Sequence, residues 1–314
     1  MKLASYYRQA EPSFGVVVGN RVFDVPQHWP DGPRNLLEVL RIGPEAIGRI
    51  RRLLGDSSAQ TLELADVSLR APIPDPPKLL GLAVNYVEHH RECNRGQDLP
   101  DNPRRHTSPR PFLMPGTAVA DPGAQIPWPA YSRQIDYEVE LAVVIGRECH
   151  EMTPEQAAEA IAGYTIANDI SARSVTHAQG RAVRPKDDFF DWLHGKGADG
   201  FCPMGPWMVT ADEIGDPMNL CIQCRVNGEL RQDANTRMMI FNVWELVAFC
   251  GRLMTLLPGD IIATGTPSGV GMASGRLLAG GDVIACRIEK IGELVNTLGP
   301  PPDDFYTPCQ PSEA

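Results

Sequence analysis

The chain has 314 residues, of which 43% are hydrophobic and 22% are charged, and it carries 39 acidic residues against 29 Lys and Arg. This composition is typical of a globular protein with a packed core, and a prior of roughly 150 residues per domain predicts about two domains. The formal net charge of −10 argues against nucleic acid as a partner, because phosphate binding needs a basic face.

Neither secretion nor membrane insertion is predicted. The first residues lack an apolar run of signal-peptide length, and no apolar stretch approaches the roughly 18 residues of a membrane span. We therefore expect a cytoplasmic protein that has no membrane partner. The eight cysteines are scattered along a chain too long to need disulfide staples. Cys221 and Cys224 alone have metal-like spacing, but they lie in a strand-like segment where positions three apart face opposite ways, so we interpret the cysteines as reduced thiols.

Residues 1–75 are predicted to form a small N-terminal α+β domain. A hairpin is predicted over 14–24, where Gly19 and Asn20 separate two apolar runs. The spacing of apolar residues predicts a helix over 36–54. The proline-rich segment 71–77 is interpreted as a linker.

Residues 76–300 are predicted to form a larger domain, followed by a Pro-rich tail over 301–314. A buried strand is predicted at 78–84, and the segment 93–111 resembles the long loops that are usually functional or disordered. Further elements are predicted as strands at 138–145, 207–210, 220–226, 260–264 and 282–288, and as helices at 153–162 and 243–254. The whole chain is therefore predicted to be a strand-rich α+β protein.

The most informative segment is 135–146, in which apolar residues alternate with three acids, Asp136, Glu138 and Glu140. This period of two places the acids on one face of a strand, roughly 6.6 Å apart, where their repulsion calls for a compensating group. The face is either solvated or bound to a hard cation such as Mg²⁺, which prefers oxygen ligands. The next residues on the same face, Ala142 and Val144, are apolar and indicate that it turns inward.

Two further elements carry candidate chemistry. Asp169 ends a strand-like run, where its carboxylate is well placed to supply a third ligand, although Asn168-Asp169 is also typical of a turn or a helix cap. His89 and Glu92 are neighbours if their segment is helical, so that the carboxylate would orient the imidazole and raise its basicity, as a general base requires. Such pairs also occur on ordinary surface helices.

Together these segments resemble the fumarylacetoacetate hydrolase family over about residues 78–298. The resemblance is carried by five motifs in matching order and spacing: Asn85-Tyr86-x-x-His89-x-x-Glu92, Asp136-Tyr137-Glu138-x-Glu140-Leu141, Asn168-Asp169-x-x-Ala172-Arg173, Gly195-Lys196, and the glycine-rich segment 257–271. Five motifs in register are far more specific than any one of them.

The resemblance implies a mixed β-sheet roll of the family's C-terminal type for the larger domain, an accessory role for the smaller one, and a homodimer. It implies one Mg²⁺ or Mn²⁺ ion, or Ca²⁺ in some members, with the ligands Glu138, Glu140 and Asp169. It further implies a lid that includes the loop 93–111 and carries the catalytic residues His89 and Glu92. The remaining implied site residues are catalytic Lys196 and the substrate-binding Arg173 and Thr266.

Two positions depart from the family pattern. Met114 stands where many members carry Lys in a Phe-x-Lys-Pro motif, and Thr176 stands where many carry Gln. Both are expected near the substrate, so they bear on specificity and leave the predicted metal ligands unchanged.

The favoured reaction is hydrolysis of a C–C bond in an acylpyruvate-like 1,3-diketo acid through a metal-bound enolate, with His89 taking a proton from water. The same enolate would serve decarboxylation of oxaloacetate or isomerisation of a 2-hydroxydienoate, and the fold does not decide among them. A small 2-oxo acid from aromatic catabolism is the expected substrate. A binding module that lost turnover is the non-enzymatic alternative, against which the intact His89, Glu92 and Lys196 argue.

Overall fold

A computed structural model describes residues 1–55, 60–94, 102–175 and 184–306. Within these ranges the chain is a strand-rich mixture of strands and helices in several mixed sheets, so the predicted α+β class is confirmed. The strands are β1 (Lys2–Arg8), β2 (Glu11–Val18), β3 (Arg21–Asp24), β4 (Leu62–Glu63), β5 (Ser68–Arg70), β6 (Leu79–Leu82), β7 (Pro111–Met114), β8 (Val119–Ala120), β9 (Gln125–Ile126), β10 (Ile135–Asp136), β11 (Val139–Ile145), β12 (Ile161–Asn168), β13 (Ser171–Ala172), β14 (Cys202–Thr210), β15 (Cys221–Val226), β16 (Glu229–Asn235), β17 (Ile261–Ala263), β18 (Val283–Ile288) and β19 (Gly292–Leu298). The helices are α1 (Val25–His28), α2 (Leu36–Ile42), α3 (Pro44–Leu53), α4 (Val87–Cys93), α5 (Pro154–Ala158), α6 (Asp187–His194), α7 (Ala211–Ile214), α8 (Val243–Leu253) and α9 (Gly271–Ser274).

The largest sheet has 12 strands and contains both the N-terminal strands and those that carry the acidic residues. Its main path runs β4-β3-β2-β1-β14-β12-β11-β17-β6-β7, with β5 paired to β1 and β8 paired to β14. Most neighbours are antiparallel, whereas β17 pairs with β6 in parallel. Because β1 pairs with β14, strands from both sides of residue 75 share one sheet. The domain boundary at that residue stays a prediction.

A second sheet of five strands, ordered β16-β15-β18-β19-β9, packs on one face of β11 and β12. Apolar side chains from both sheets form the main core, among them Leu141, Val143, Ile166, Ile222, Ile284 and Ile288. The opposite face of β11 carries Ala142 and Val144, which are fully buried in a second core with residues of α2 and α3. The prediction that this face turns inward is therefore confirmed, and β11 is buried on both sides.

The single helix predicted over 36–54 is wrong, because α2 and α3 are separated by Gly43 at a φ of 85°. Glycine adopts this left-handed conformation without a steric penalty. Pro44 follows at the start of α3, where the N–H that proline lacks would have no partner within the helix. The hairpin predicted over 14–24 is confirmed, since β2 and β3 pair across a turn at Gly19.

The two helices predicted further along the chain differ in outcome. The one predicted over 153–162 is shorter than expected, because α5 has only 5 residues and β12, which pairs along β11, already begins at Ile161. The one predicted over 243–254 is confirmed as α8. It starts with a capping box in which the side chains of Asn242 and Glu245 bond each other's backbone N–H.

The strand predicted over 138–145 is confirmed as β11, but the alternating segment 135–146 does not form one continuous strand. The short β10 pairs with β13, whereas β11 starts at Val139 and pairs with β12. Asp136, the last residue of β10, accepts hydrogen bonds from the backbone N–H groups of Gly271 (2.6 Å) and Met272 (2.9 Å) at the start of α9. The three acids therefore do not share one strand face, which corrects the prediction for Asp136.

The cysteine prediction agrees with the structure in the described residues. Cys221 is exposed and Cys224 is buried on β15, as expected for a strand, and the described cysteines are free thiols. Cys309 lies outside the described residues, together with the rest of the tail after residue 306.

The predicted loop 93–111 is described only in part, since residues 95–101 lie outside the described residues. The described part contains a short 3₁₀ turn at Pro103–Arg105 before β7 begins. Among the helices that the structure describes, none combines the length and the apolar character needed to span a membrane.

Candidate functional site

Three buried carboxylates meet where the start of β11 lies beside the end of β12. These strands are antiparallel, and Val139 pairs with Asn168. The pairing brings Glu138 and Glu140, from the start of β11, next to Asp169, which follows β12. One carboxylate oxygen of each of the three acids lies within 4.8 Å of the others. We call this group the carboxylate triad.

Hydrogen bonds from the backbone hold the triad in place. Asn168 Oδ1 accepts a hydrogen bond from Glu138 N (2.9 Å), and Asp169 N donates to the Glu138 carbonyl oxygen (2.9 Å). Gly265 N donates to Glu140 Oε2 (2.7 Å) from the loop that follows β17. The carboxylates are therefore positioned by three separate segments of the chain.

Lys196 lies beside Glu138 and Asp169 of the triad and is 2% exposed. Its Nζ donates to Glu138 Oε2 (2.8 Å) and to Asp169 Oδ2 (2.6 Å). The preceding Gly195 packs directly on the backbone, because a Cβ there would lie 2.2 Å from the carbonyl oxygen of Ala172. This glycine thus allows close contact with β13.

Arg173 is bound by carboxylates on two sides. Its Nε donates to Asp136 Oδ2 (3.0 Å), and its Nη2 donates to Glu138 Oε1. The guanidinium therefore joins Asp136, which is outside the triad, to Glu138, which is within it.

The triad carries more negative charge than its neighbours neutralise. Burial and the nearby Asp169 and Glu138 raise the pKa of Glu140 well above its usual value. Burial also raises the pKa of Asp169 to about 6, although Lys196 opposes the shift. Burial would raise the pKa of Glu138 as well, but Lys196 and Arg173 lower it to about 2. Buried carboxyl groups with pKa values this far apart are typical of functional sites.

An orphaned oxygen points to a missing partner in the triad. Asp169 Oδ1 is buried and has no hydrogen-bond partner among the described residues, and such groups are rare in folded proteins. Three buried carboxylates with an unpaired oxygen are the donor set that hard divalent cations prefer. The residues present therefore fit a divalent cation.

His89 and Glu92 lie on α4 and face the same cavity as the triad. His89 Nδ1 is 2.9 Å from Glu92 Oε2, and Glu92 Oε1 accepts a hydrogen bond from Gly269 N (3.0 Å). Cys93 Sγ lies 3.5 Å from His89 Nε2. Burial alone would lower the pKa of His89, but the hydrogen bonds to Cys93 and Glu92 raise it to about 10.

A cavity of about 300 Å³ opens beside the triad. The predicted site residues that line it are His89, Glu92, Glu138, Asp169, Arg173, Lys196 and Thr266, and Glu140 adjoins them through the triad. The structure therefore brings the predicted site residues together around one cavity, although they come from distant parts of the chain.

The hydroxyl of Thr266 is already engaged with the protein. Its Oγ1 donates to the carbonyl oxygen of Val139 (2.9 Å) and accepts a hydrogen bond from Gln232 Nε2 (2.8 Å). A hydroxyl has one donor and two acceptor positions, so one acceptor position stays open. The expected contact of Thr266 with substrate stays a prediction.

Gln232 on β16 is a site residue that sequence reasoning missed. It is 1% exposed; its Oε1 accepts a hydrogen bond from Val139 N (3.0 Å), and its Nε2 donates to Thr266 Oγ1 and to the carbonyl oxygen of Pro267 (2.9 Å). Gln232 thus connects the second sheet by hydrogen bonds to β11 and to the loop after β17. No local motif surrounds it, so only the fold reveals the role.

Two more features of the site went unpredicted, and one prediction is corrected. Cys93 is one turn from His89 on α4, a spacing visible in the sequence, whereas the aromatic rings of Phe112 and Trp192 meet at the cavity only through the fold. Met114, expected near the substrate, is buried in the second core and does not line the cavity. Thr176 lies outside the described residues.

Comparison with known proteins agrees with this geometry. The sequence profile described as fumarylacetoacetate (FAA) hydrolase C-terminal matches residues 78–299. The chain belongs to the fumarylacetoacetate hydrolase family. The family predicted from the five motifs is therefore confirmed.

Two relatives within the family match almost the whole chain. The mitochondrial oxaloacetate tautomerase fahd2 of Xenopus laevis is 36% identical over 304 residues, covering 95% of this chain and 90% of that protein. The mitochondrial oxaloacetate tautomerase FAHD2B of Bos taurus is 38% identical over 293 residues, covering 92% of this chain and 88% of that protein.

Solved structures from the family share the fold. Maleylpyruvate hydrolase from Sphingobium sp. SYK-6, in complex with manganese(II) and pyruvate, is 32% identical with a TM-score of 0.76, covering 96% of this chain and 100% of that one. The 2-hydroxyhepta-2,4-diene-1,7-dioate isomerase from Mycobacterium marinum is 31% identical with a TM-score of 0.70, covering 96% of this chain and 98% of that one.

Proposed function

We propose that this protein is a metal-dependent enzyme that converts a small 2-oxo acid through its enolate, with keto–enol tautomerisation as its reaction. The observation that carries the proposal is the His89–Glu92 pair facing the carboxylate triad across one cavity. The reaction needs only the movement of a proton, which one histidine oriented by a carboxylate is able to perform.

In this proposal the triad of Glu138, Glu140 and Asp169 holds one divalent cation. A divalent cation bound there would supply Lewis acidity to the oxygens of a 2-oxo acid. Lys196 keeps Glu138 and Asp169 in position and balances part of their charge through its two hydrogen bonds. The manganese(II) ion in the related maleylpyruvate hydrolase supports a divalent cation, and we propose Mg²⁺ or Mn²⁺ as the working ion, with Ca²⁺ as an alternative.

His89 is the proton carrier in the proposed mechanism. Because Glu92 holds Nδ1 at 2.9 Å, Nε2, which lies 3.5 Å from Cys93 Sγ, is the nitrogen that faces substrate in this proposal. In the neutral form of His89, Nε2 takes a proton from the carbon beside the 2-oxo group, and the carboxylate of Glu92 stabilises the imidazolium that results, which is the form that the raised pKa of His89 favours. Return of the proton to the substrate oxygen completes the exchange. Arg173 and Thr266, which also line the cavity, are proposed to contact the substrate.

Tautomerisation is favoured because two relatives that match at least 92% of this chain are named oxaloacetate tautomerases. Hydrolysis of a C–C bond in an acylpyruvate, the reaction favoured by the sequence, is the second candidate. It is supported by the related maleylpyruvate hydrolase, whose structure contains pyruvate. In that reaction His89 would take its proton from water, and the hydroxide would attack the distal carbonyl carbon.

The test follows two compounds with the full-length protein, in Mn²⁺ and in excess EDTA. Oxaloacetate is monitored for keto–enol exchange and for pyruvate formation, which would report decarboxylation, and acetylpyruvate is monitored for loss of the diketo absorbance. Metal-dependent exchange without pyruvate supports the tautomerase, and metal-dependent loss of acetylpyruvate supports the hydrolase. If a protein that binds Mn²⁺ changes neither compound, the proposed function is wrong.

Assembly and location belong to the same proposal. We propose a homodimer, which sedimentation or light scattering of the purified protein would test. The relatives from Xenopus and cattle are named as mitochondrial proteins. The cytoplasmic location and the role in aromatic catabolism expected from the sequence are proposals, to be tested by cell fractionation and by growth of a deletion strain on aromatic carbon sources.

A further inference from the structure

The cavity lining is apolar in part. Besides the carboxylates and His89, it contains six apolar side chains that we call the apolar wall: Leu82, Val84, Phe112, Trp192, Val270 and Met272. The wall borders the reactive groups closely, because Lys196 Nζ lies 5.9 Å from the ring centroids of both Phe112 and Trp192. A substrate held at the triad would therefore lie within reach of these two rings.

Two aromatic rings give the wall a defined shape. Phe112 and Trp192 meet edge to face, with ring centroids 5.0 Å apart and an interplanar angle of 74°. Phe112 is held from behind by the backbone of β6, since a Cβ on Gly81 would lie 2.3 Å from its Cζ atom. Edge-to-face pairs of this kind are stabilised by the charge distribution of the rings. The wall is thus a preformed surface for a flat or apolar group.

The cavity offers no unengaged cation in the part of the chain that the structure describes. Its only Lys and Arg side chains there are Lys196 and Arg173. Lys196 is bound to Glu138 and Asp169, and Arg173 is bound to Asp136 and Glu138. Among the described residues, a second carboxylate on a substrate would therefore be desolvated against the apolar wall without a Lys or Arg side chain free to pair with it, which is unfavourable.

We propose that the apolar wall binds the far end of the substrate, and that this end is an uncharged aryl or alkyl group. The substrate class is then a 2-oxo acid with a single carboxylate, such as an acylpyruvate, and a dicarboxylate whose second carboxylate reaches the apolar wall is a poorer substrate for this chain. This inference rests on the proposed function, since it assumes that the 2-oxo acid end lies at the triad.

The experiment compares two compounds that differ only in the tail: benzoylpyruvate and its analogue with a carboxylate at the para position of the ring. Dissociation constants are measured by calorimetry on the Mn²⁺-loaded full-length protein, and kcat/KM is measured for each compound. We expect benzoylpyruvate to bind at least about tenfold more tightly and to react with a correspondingly higher kcat/KM.

Two variants locate the effect. Trp192→Ala should weaken binding of benzoylpyruvate about 3- to 10-fold and change that of acetylpyruvate, which has only a methyl tail, by less than about twofold. Phe190→Ala is the matched control, because Phe190 is 51% exposed on the same helix and does not line the cavity. It should change neither value.

The binding results distinguish a failure of this inference from a failure of the proposed function. Tighter binding of benzoylpyruvate that depends on Trp192 supports the inference. Equal or tighter binding of the carboxylated analogue overturns it and leaves the proposed function standing, because both compounds would still bind at the metal-loaded site. If the protein binds Mn²⁺ but neither diketo acid nor oxaloacetate, the proposed function fails, and this inference fails with it.

Discussion

Replacing Glu92 with glutamine keeps the size of the side chain but removes its charge. In the structure Glu92 accepts two hydrogen bonds, from Gly269 N through Oε1 and from His89 Nδ1 through Oε2. Glutamine has a single acceptor oxygen. If that oxygen stays with Gly269 N, its amide NH₂ group faces His89 Nδ1 and favours the tautomer with the proton on Nε2. That tautomer cannot accept a proton from substrate.

The size of the effect follows from the bond that is lost. A hydrogen bond to a charged group contributes about 1.5–3 kcal/mol, which corresponds to a fall in kcat of about 10- to 150-fold. The affinity for Mn²⁺ should change by less than about threefold, because Glu92 is not part of the triad. The assay is Mn²⁺-dependent turnover of oxaloacetate and acetylpyruvate, together with a Mn²⁺ titration of each variant.

Glu88→Gln is the matched control. Glu88 lies on the same helix and its side chain is 45% exposed and paired with Arg91 at the surface. This variant should retain both turnover and Mn²⁺ binding. The role assigned to Glu92 is refuted if Glu92→Gln turns over at the rate of the unmodified protein, or if it loses Mn²⁺ binding.

Three further predictions test the site. Asp169→Asn removes one of the three carboxylates and should weaken Mn²⁺ binding more than about 100-fold in an EPR titration, and unchanged affinity would exclude Asp169 as a ligand. Gln232→Leu leaves Val139 N and other buried polar groups unpaired, and should lower the free energy of unfolding in urea by about 2–5 kcal/mol; a change below about 1 kcal/mol would show that the network is not stabilising. Raised carboxyl pKa values at Asp169 and Glu140 mean that the folded metal-free protein binds protons more tightly than the unfolded chain. Their contribution to stability is therefore present at low pH and is lost as pH rises, through about 6 for Asp169. Mn²⁺ should therefore raise the melting temperature more at about pH 8 than at about pH 5, and equal shifts would contradict this.

Sequence patterns correctly predicted the structural features that depend on residues close together in the chain. Period-two alternation identified the strand that carries Glu138 and Glu140, and the apolar residues after them showed that its face turns inward. The spacing of His89 and Glu92 predicted their contact, because residues three apart on a helix are neighbours. The turn at Gly19 was predicted for the same reason, since a glycine between two apolar runs specifies a hairpin.

Local patterns failed where distant segments compete for the same residues. The alternation in 135–146 continues through Asp136, yet this residue is drawn to the N–H groups at the start of α9 and the strand breaks. The spacing of apolar residues over 36–54 predicted one continuous helix, because this spacing does not show that the chain changes direction at Gly43.

The sequence by itself determined which chemical groups the site contains: three carboxylates, a His–Glu pair and a lysine. These groups occur along the chain in the order found in the fumarylacetoacetate hydrolase family. The tertiary structure decided their arrangement. It set Lys196 and Arg173 between the carboxylates, engaged the Thr266 hydroxyl through Gln232, and placed Phe112 and Trp192 on the cavity surface. The physical reason is that hydrogen bonds and packing between residues far apart in the chain depend on how the sheets pair and pack. No periodicity within a single segment records that pairing.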